Sequence, residues 1–333
     1  MLALTLATSP PTLREVPSPT LPRDHALIDL RLAGICGTDL ELVRGYKRHH
    51  DVLGHEFVGV VTRCPDAPQW EGQRVTGEIN LPCGQCERCA AGLGNHCSAR
   101  RVLGILEHPG CFAEQLTLPV ANLHAIPDAL TDEQAVFTEP LAAAFQIFEQ
   151  LTLDPTTPVA VVGDGKLGLL IALALRARSI PVVAVGRHAH KLARVAGPGV
   201  RTCSPEALGS ERFAVVVEAT GSPDGLAFAV AHTRPRGTVV LKSTTHQEVR
   251  LPIAALVVDE IRLVGSRCGP FAVALAAMAA GEVDPRPLID ARYPLAEAEA
   301  ALAHAARRGT LKVLLEGTAA SDRPPAHTPT DEA

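Results

Sequence analysis

Cys83, Cys86, Cys89 and Cys97 stand at C-x2-C-x2-C-x7-C spacing. Four thiolates so arranged close a tetrahedral site with no open position, the pattern of a structural zinc. Such an ion would hold together a lobe with little apolar sequence of its own, so its binding counts as folding free energy. His96, next to Cys97, is an alternative ligand. Cys64, Cys111, Cys203 and Cys268 have no partner at useful spacing and are expected as small buried hydrophobes. Upstream, Gly34-Ile35-Cys36-Gly37-Thr38-Asp39-Leu40-Glu41 and Leu53-Gly54-His55-Glu56 each set a metal-ligating residue on a glycine-flanked turn. Taken singly, a core cysteine and a surface histidine are the simpler readings of Cys36 and His55.

A second constellation is Gly163-Asp164-Gly165-Lys166-Leu167-Gly168, glycines at G-x-G-x-x-G spacing. It follows a short apolar run, 158–162, and opens into the helix-forming stretch 169–175. Strand, glycine turn and helix together make a dinucleotide-binding fingerprint. Gly163 permits the tight turn, Gly165 lets backbone N–H groups near Lys166 and Leu167 approach a diphosphate, and Gly168 lets the helix close on the strand. The diphosphate would sit on the helix N-terminus. An NAD-binding fold also places an acid about 20 residues beyond the glycines, accepting from the ribose 2′-hydroxyl. Here the second strand ends Val185-Gly186-Arg187-His188, with Lys191 shortly after and no carboxylate. Arg187 can grip a 2′-phosphate, so NADP(H) is expected over NAD(H). The alternative is that Arg187 and His188 are solvated turn residues and both cofactors serve.

These groups need elements to position them. Residues 1–140 read as strands and turns, with 26–32 alternating as a half-buried strand and 57–61 a short apolar run. From residue 141 the pattern changes to helices alternating with short buried strands at 182–185, 213–217, 238–241 and 261–264. That rhythm makes an α/β doubly wound parallel sheet. With 333 residues there is room for two domains. A net charge of −5 without a basic run speaks against nucleic acid or an anionic membrane as partner. The first residues lack a basic n-region and alternate like an edge strand, which is not a secretory signal. With four cysteines crowded into a metal-type lobe, the expected location is cytoplasmic. Residues 318–333, rich in Pro, Thr and charge, are expected to be disordered.

G-I-C-G-T-D, then G-H-E, a four-cysteine lobe and the glycine fingerprint, in that order, resemble the zinc-dependent medium-chain dehydrogenase/reductase family over about residues 1–316. C-G-T-D-x-E and the later Thr138-Glu139-Pro140-Leu141 look closest to its polyol and glucose dehydrogenase branch. The resemblance implies a GroES-like zinc-binding catalytic domain (1–140 and 269–317) around a Rossmann cofactor domain (141–268). It further implies that Cys36 and His55 bind a catalytic zinc and that Asp39 orients the histidine ring. The third ligand is Glu139 or Glu56, and with the cysteine lobe the chain would carry two zincs. The alternative for Glu139 is a surface N-cap acid before the 141–151 helix. Glu218-Ala219-Thr220-Gly221 resembles the family turn along the nicotinamide, Leu311–Leu315 its closing strand. A homo-oligomer, dimer or tetramer, is expected.

The expected reaction is hydride transfer between an alcohol, polyol or sugar hydroxyl and the nicotinamide. Thr38 would carry the proton. Where alcohol and sorbitol dehydrogenases place a histidine three residues beyond, this chain has Glu41, read as a relay or sugar-contacting carboxylate. Two rival readings keep the scaffold without the turnover: an NADPH-binding module, and a zinc- or redox-sensing protein built on the cysteine lobe. A retired site need keep none of Cys36, Thr38, His55 and Glu139, and a sensor gains nothing from the glycine turn.

Overall fold

The computed structural model describes residues 1–6, 10–46, 51–244, 248, 251 and 253–317. The tail expected to be disordered, 318–333, lies outside them. The alternating stretch forms strand β1 (His25–Gly34), burying Ala26, Ile28 and Leu30 in one core cluster, and after an irregularity between Leu30 and Leu32 it buries Leu32 in another. Helix α1 (Gly37–Val43) follows directly, then β2 (Glu56–Arg63), β3 (Arg74–Gly77), β4 (Gln115–Pro119) and β5 (Leu123–Ala125). β2 and β4 both pair antiparallel with β1, β3 with β2, and β5 with β3. The cysteine lobe lies between β3 and β4. Within 83–97 Cys97 alone is buried, so the lobe has almost no apolar core.

Helix α2 (Thr138–Gln150) leads into the second sheet. Its elements are β6 (Val159–Val162), α3 (Lys166–Ala177), β7 (Val182–Val185), β8 (Val200–Cys203), β9 (Phe213–Glu218), β10 (Thr233–Leu241) and β11 (Arg262–Gly265). All six strands run parallel in the order β8-β7-β6-β9-β10-β11. β6 and β7 are buried at every position, which is why their sequences are apolar without alternation. The strand order reverses between β6 and β9. Ligands bind such sheets at that point, outside the carboxyl ends of the strands.

The chain then returns to the first sheet. β12 (Ile289–Pro294) pairs parallel with β13 (Lys312–Glu316), and β13 pairs antiparallel with β1. One apolar cluster joins Leu32 and Val58 of the first sheet to Phe137, Phe145, Val161 and Leu170. The shared core fixes the crevice between the two sheets. No helix among the described residues is long and apolar enough to cross a membrane.

Candidate metal and cofactor site

The register of the first sheet brings the upstream ligands together. Gly34 at the end of β1 lies opposite Glu56 at the start of β2, so Cys36 and His55, flanking that pair, meet at one end of the sheet. Cys36 is the N-cap of α1, and Asp39 at the third helical position accepts its backbone N–H through Oδ2 at 2.8 Å. The other oxygen, Oδ1, lies 3.1 Å from His55 Nδ1. A carboxylate can only accept, so Nδ1 carries the proton and Nε2 is left as the ligand atom. One buried aspartate thus caps the helix and aims the histidine.

Ligand atoms of Cys36, His55 and Glu56 all lie within 4.8 Å of one another. His55 and Glu56 are buried, and Glu56 Oε1 has no hydrogen-bond partner. Burial disfavours a charged His55, but Asp39 and Cys36 outweigh it and raise its pKa well above the ordinary value. The unpartnered Glu56 oxygen beside the Cys36 sulfur and the His55 ring marks the place a cation would take. The soft–borderline–hard set of three protein donors fits zinc. Glu139 is in the first turn of α2, a half-buried residue rather than a surface N-cap, and Phe137 takes the cap position. It stands outside the Cys36–His55–Glu56 triplet. Burial pushes its carboxyl up to about 7, with His55 pulling it down and Glu56 pushing it up.

Thr38 Oγ1 lies 3.8 Å from Cys36 Sγ. Glu41 is turned to Arg44, whose Nη1 donates to it at 2.6 Å. Lys312, from β13, was not anticipated: fully buried, it donates from Nζ to Glu56 Oε2. A lysine set against the apolar run 313–315 was its signal. Lys242 is also buried, its Nζ hydrogen-bonded to Ser266 Oγ at 3.1 Å and to the Ala143 carbonyl. Burial lowers its pKa to about 8.

The four lobe cysteines also converge, with ligand atoms within 4.8 Å of one another. Cys86 Sγ is 3.5 Å from Cys89 Sγ and 3.7 Å from Cys97 Sγ, and Cys83 Sγ is 4.0 Å from Cys89 Sγ. Sulfurs at about 2.3 Å from one zinc stand about 3.8 Å apart in a tetrahedron, so the cage fits the ion. Hydrogen bonds from the Cys89 backbone and thiol draw the Cys86 thiol down to about 6. Of the remaining cysteines, Cys64 and Cys111 are buried as expected. Cys203 and Cys268 are only half-buried, Cys268 meeting Asn80 Nδ2 at 3.3 Å.

The glycine turn sits at the switch point. Gly163 has φ +123°, and a β-carbon there would lie 2.6 Å from the Ala219 carbonyl oxygen. On Gly168 it would lie 2.0 Å from the Gly163 carbonyl oxygen, so helix and strand do close on each other. On Gly165, the N-cap of α3, it would meet nothing within 4 Å. The open space beside that helix N-terminus suits a diphosphate. Lys166 reaches the other way, donating to the Ile35 carbonyl at 2.7 Å and tying the cofactor helix to the turn before Cys36. Leu167 lies in the first turn of α3, Gly186 and His188 follow β7 with Lys191 just beyond, and Thr220 follows β9. Thr220 donates to Glu218 Oε1 at 2.6 Å, and Arg187 is exposed with no ion pair among the described residues. Asp164, within the turn, was passed over in the sequence, although Gly186 marks the space it fills.

Residues 22–128 match the alcohol dehydrogenase GroES-like domain. The chain is 32% identical to L-threonine 3-dehydrogenase of Streptomyces avermitilis over 331 residues, spanning 92% of this chain and 96% of that one. It is 31% identical to D-altritol 5-dehydrogenase of Agrobacterium fabrum, over 86% of this chain and 90% of the relative. A zinc-binding dehydrogenase of Sinorhizobium meliloti, solved with NADP bound, superposes with a TM-score of 0.85 at 29% identity, covering 95% of this chain and 98% of that one. Motif order, fold and full-length similarity agree: the chain belongs to the zinc-dependent medium-chain dehydrogenase/reductase family.

Proposed function

We propose that this chain is a two-zinc dehydrogenase that interconverts a secondary or primary alcohol, of polyol or sugar type, and its carbonyl, preferring NADP(H). The observation that carries the reading is the meeting of Cys36, His55 and Glu56 one hydrogen bond away from the glycine-turn helix, through Lys166 and Ile35. The altritol and threonine relatives both act, by name, on a hydroxyl-bearing small molecule.

Cys36, His55 and Glu56 would hold the catalytic zinc, with Glu139 as an alternating or outer carboxylate, and Cys83, Cys86, Cys89 and Cys97 the structural one. Bound zinc supplies Lewis-acid polarisation of the hydroxyl oxygen, and the nicotinamide supplies the hydride acceptor. Thr38 accepts the hydroxyl proton and passes it outward. Asp39 keeps the His55 ring in register, and Lys312 neutralises the far oxygen of Glu56. Gly163, Gly165 and Gly168 seat the diphosphate, Thr220 lines the nicotinamide side, and Arg187 meets the 2′-phosphate. Glu41, engaged by Arg44, would serve as the sugar-contacting carboxylate.

A homo-oligomer fits an edge strand, β11, whose only partner among the described residues is β10. Beside it the helix Ile253–Val258 exposes Val257 and Val258. Nine cysteines without a disulfide, five of them read as zinc ligands, fit a reducing compartment such as the cytoplasm. The test is NADPH or NADH appearance with a panel of polyols, aldoses and simple alcohols, with and without chelator. Chelator-sensitive turnover supports the reading. Cofactor binding without turnover on any member would favour the binding-module alternative.

A further inference from the structure

The corner at the carboxyl end of β7 contains an acid that the β7 turn does not supply. Gly186-Arg187-His188 has no carboxylate where a dinucleotide fold presents one to the adenosine ribose. Asp164 fills that place from the glycine turn. A β-carbon on Gly186 would lie 2.4 Å from Asp164 Cβ and 2.6 Å from its Oδ2, so Gly186 is the gap into which the aspartate reaches. Oδ2 accepts the His188 backbone N–H at 2.7 Å and lies 3.0 Å from His188 Nδ1. Lys191 Nζ stands 3.7 Å from Oδ1, and the Asp164 and Lys191 side chains are 11% and 8% exposed. Burial works against an ionised Asp164, but the His188 hydrogen bonds and the Lys191 charge outweigh it, so its pKa stays below the usual carboxylate value.

We propose that Asp164 is a specificity-determining residue of the adenosine-ribose corner, its charge setting how strongly the protein prefers a 2′-phosphate to a 2′-hydroxyl. The proposal rests on the dehydrogenase reading above. Asp164 offsets the Lys191 charge 3.7 Å away, and Arg187 on the same turn, exposed and without an ion pair among the described residues, though it feels the charge of Glu206, is the cation left for a phosphate. A 2′-phosphate carries nearly two negative charges at neutral pH, so an ionised acid beside it opposes binding. A 2′-hydroxyl carries none and can donate to the same carboxylate. Asp164 therefore acts as a brake on NADP(H) preference and keeps NAD(H) usable, doing from the glycine turn what an acid on the second strand does elsewhere.

The test is the dissociation constant of the full-length, zinc-loaded protein for NADPH and for NADH, read by nicotinamide fluorescence. Asp164→Asn keeps the shape and an acceptor for the His188 N–H while removing the charge. It should tighten NADPH by roughly fivefold or more and leave NADH within about twofold, with the gain shrinking as salt is raised. Lys191→Gln should do the reverse, weakening NADPH selectively. An unchanged NADPH-to-NADH ratio, or both affinities falling in parallel, overturns the proposal. If Asp164→Asn does not fold, the Lys191→Gln ratio decides alone. Wild-type protein that binds neither cofactor would overturn the dehydrogenase reading, and this proposal with it.

Discussion

Lys312 Nζ donates to Glu56 Oε2 across 256 residues of sequence, and both side chains are closed off from solvent. Two buried charges persist together only because each offsets the other's desolvation. The ion pair leaves Glu56 Oε1 without a partner, beside His55 and Cys36.

Lys312→Met should cost about 3–5 kcal/mol, the range for uncovering one charge of a buried pair. The loss should be larger in zinc-free protein, where the bound cation no longer helps to offset Glu56. Melting temperatures of parent and variant, with and without chelator, measure this. Equal losses in both states would mean that Glu56 does not face the metal.

Glu56→Ala and Glu139→Ala should separate. Glu56 belongs to the Cys36–His55 triplet and Glu139 does not, so Glu56→Ala should release the catalytic zinc and Glu139→Ala should retain it. Zinc retained after dialysis distinguishes them. The opposite pattern would make Glu139 the third ligand.

Thr38→Ala removes a group needed as charge develops at the hydroxyl oxygen. On the best substrate found, kcat should fall by roughly 10²–10⁴, while zinc content and NADPH affinity survive. A variant turning over at the parent rate would remove Thr38 from the proton path.

Arg187→Ala should weaken NADPH binding by about 1.5–3 kcal/mol, the worth of a charge-assisted hydrogen bond, and leave NADH nearly unchanged. Parallel losses would show that Arg187 does not read the phosphate.

Much of this was legible in local sequence because the chemistry there is local. The four lobe cysteines close their cage within 15 consecutive positions, 83–97, and the glycine turn needs only its own strand and helix. The apolar runs at 159–162 and 182–185 announced strands buried on both faces. What escaped depends on contacts made at long range. Lys312 meets Glu56 only because β13 returns beside β1, and Asp164 meets His188 only because β6 and β7 are neighbours. The choice between Glu56 and Glu139 has the same origin. Both acids were visible, but only the β1–β2 register shows that Glu56 lies beside Cys36 and His55. Burial at Cys203 and Cys268 was overestimated because a cysteine's type says nothing of its place, which is the end of β8 for Cys203 and the segment after β11 for Cys268.

Zinc per chain, measured by elemental analysis on the parent, Cys36→Ser and Cys83→Ser proteins, tests the central claim most directly. The account predicts two in the parent. Cys36→Ser should have one and still bind NADPH, because the glycine turn lies on the other sheet. Cys83→Ser should lose the lobe zinc and melt markedly lower, since that ion contributes directly to folding. A parent protein with at most one zinc, and its Cys36 and His55 unmetallated, would contradict it.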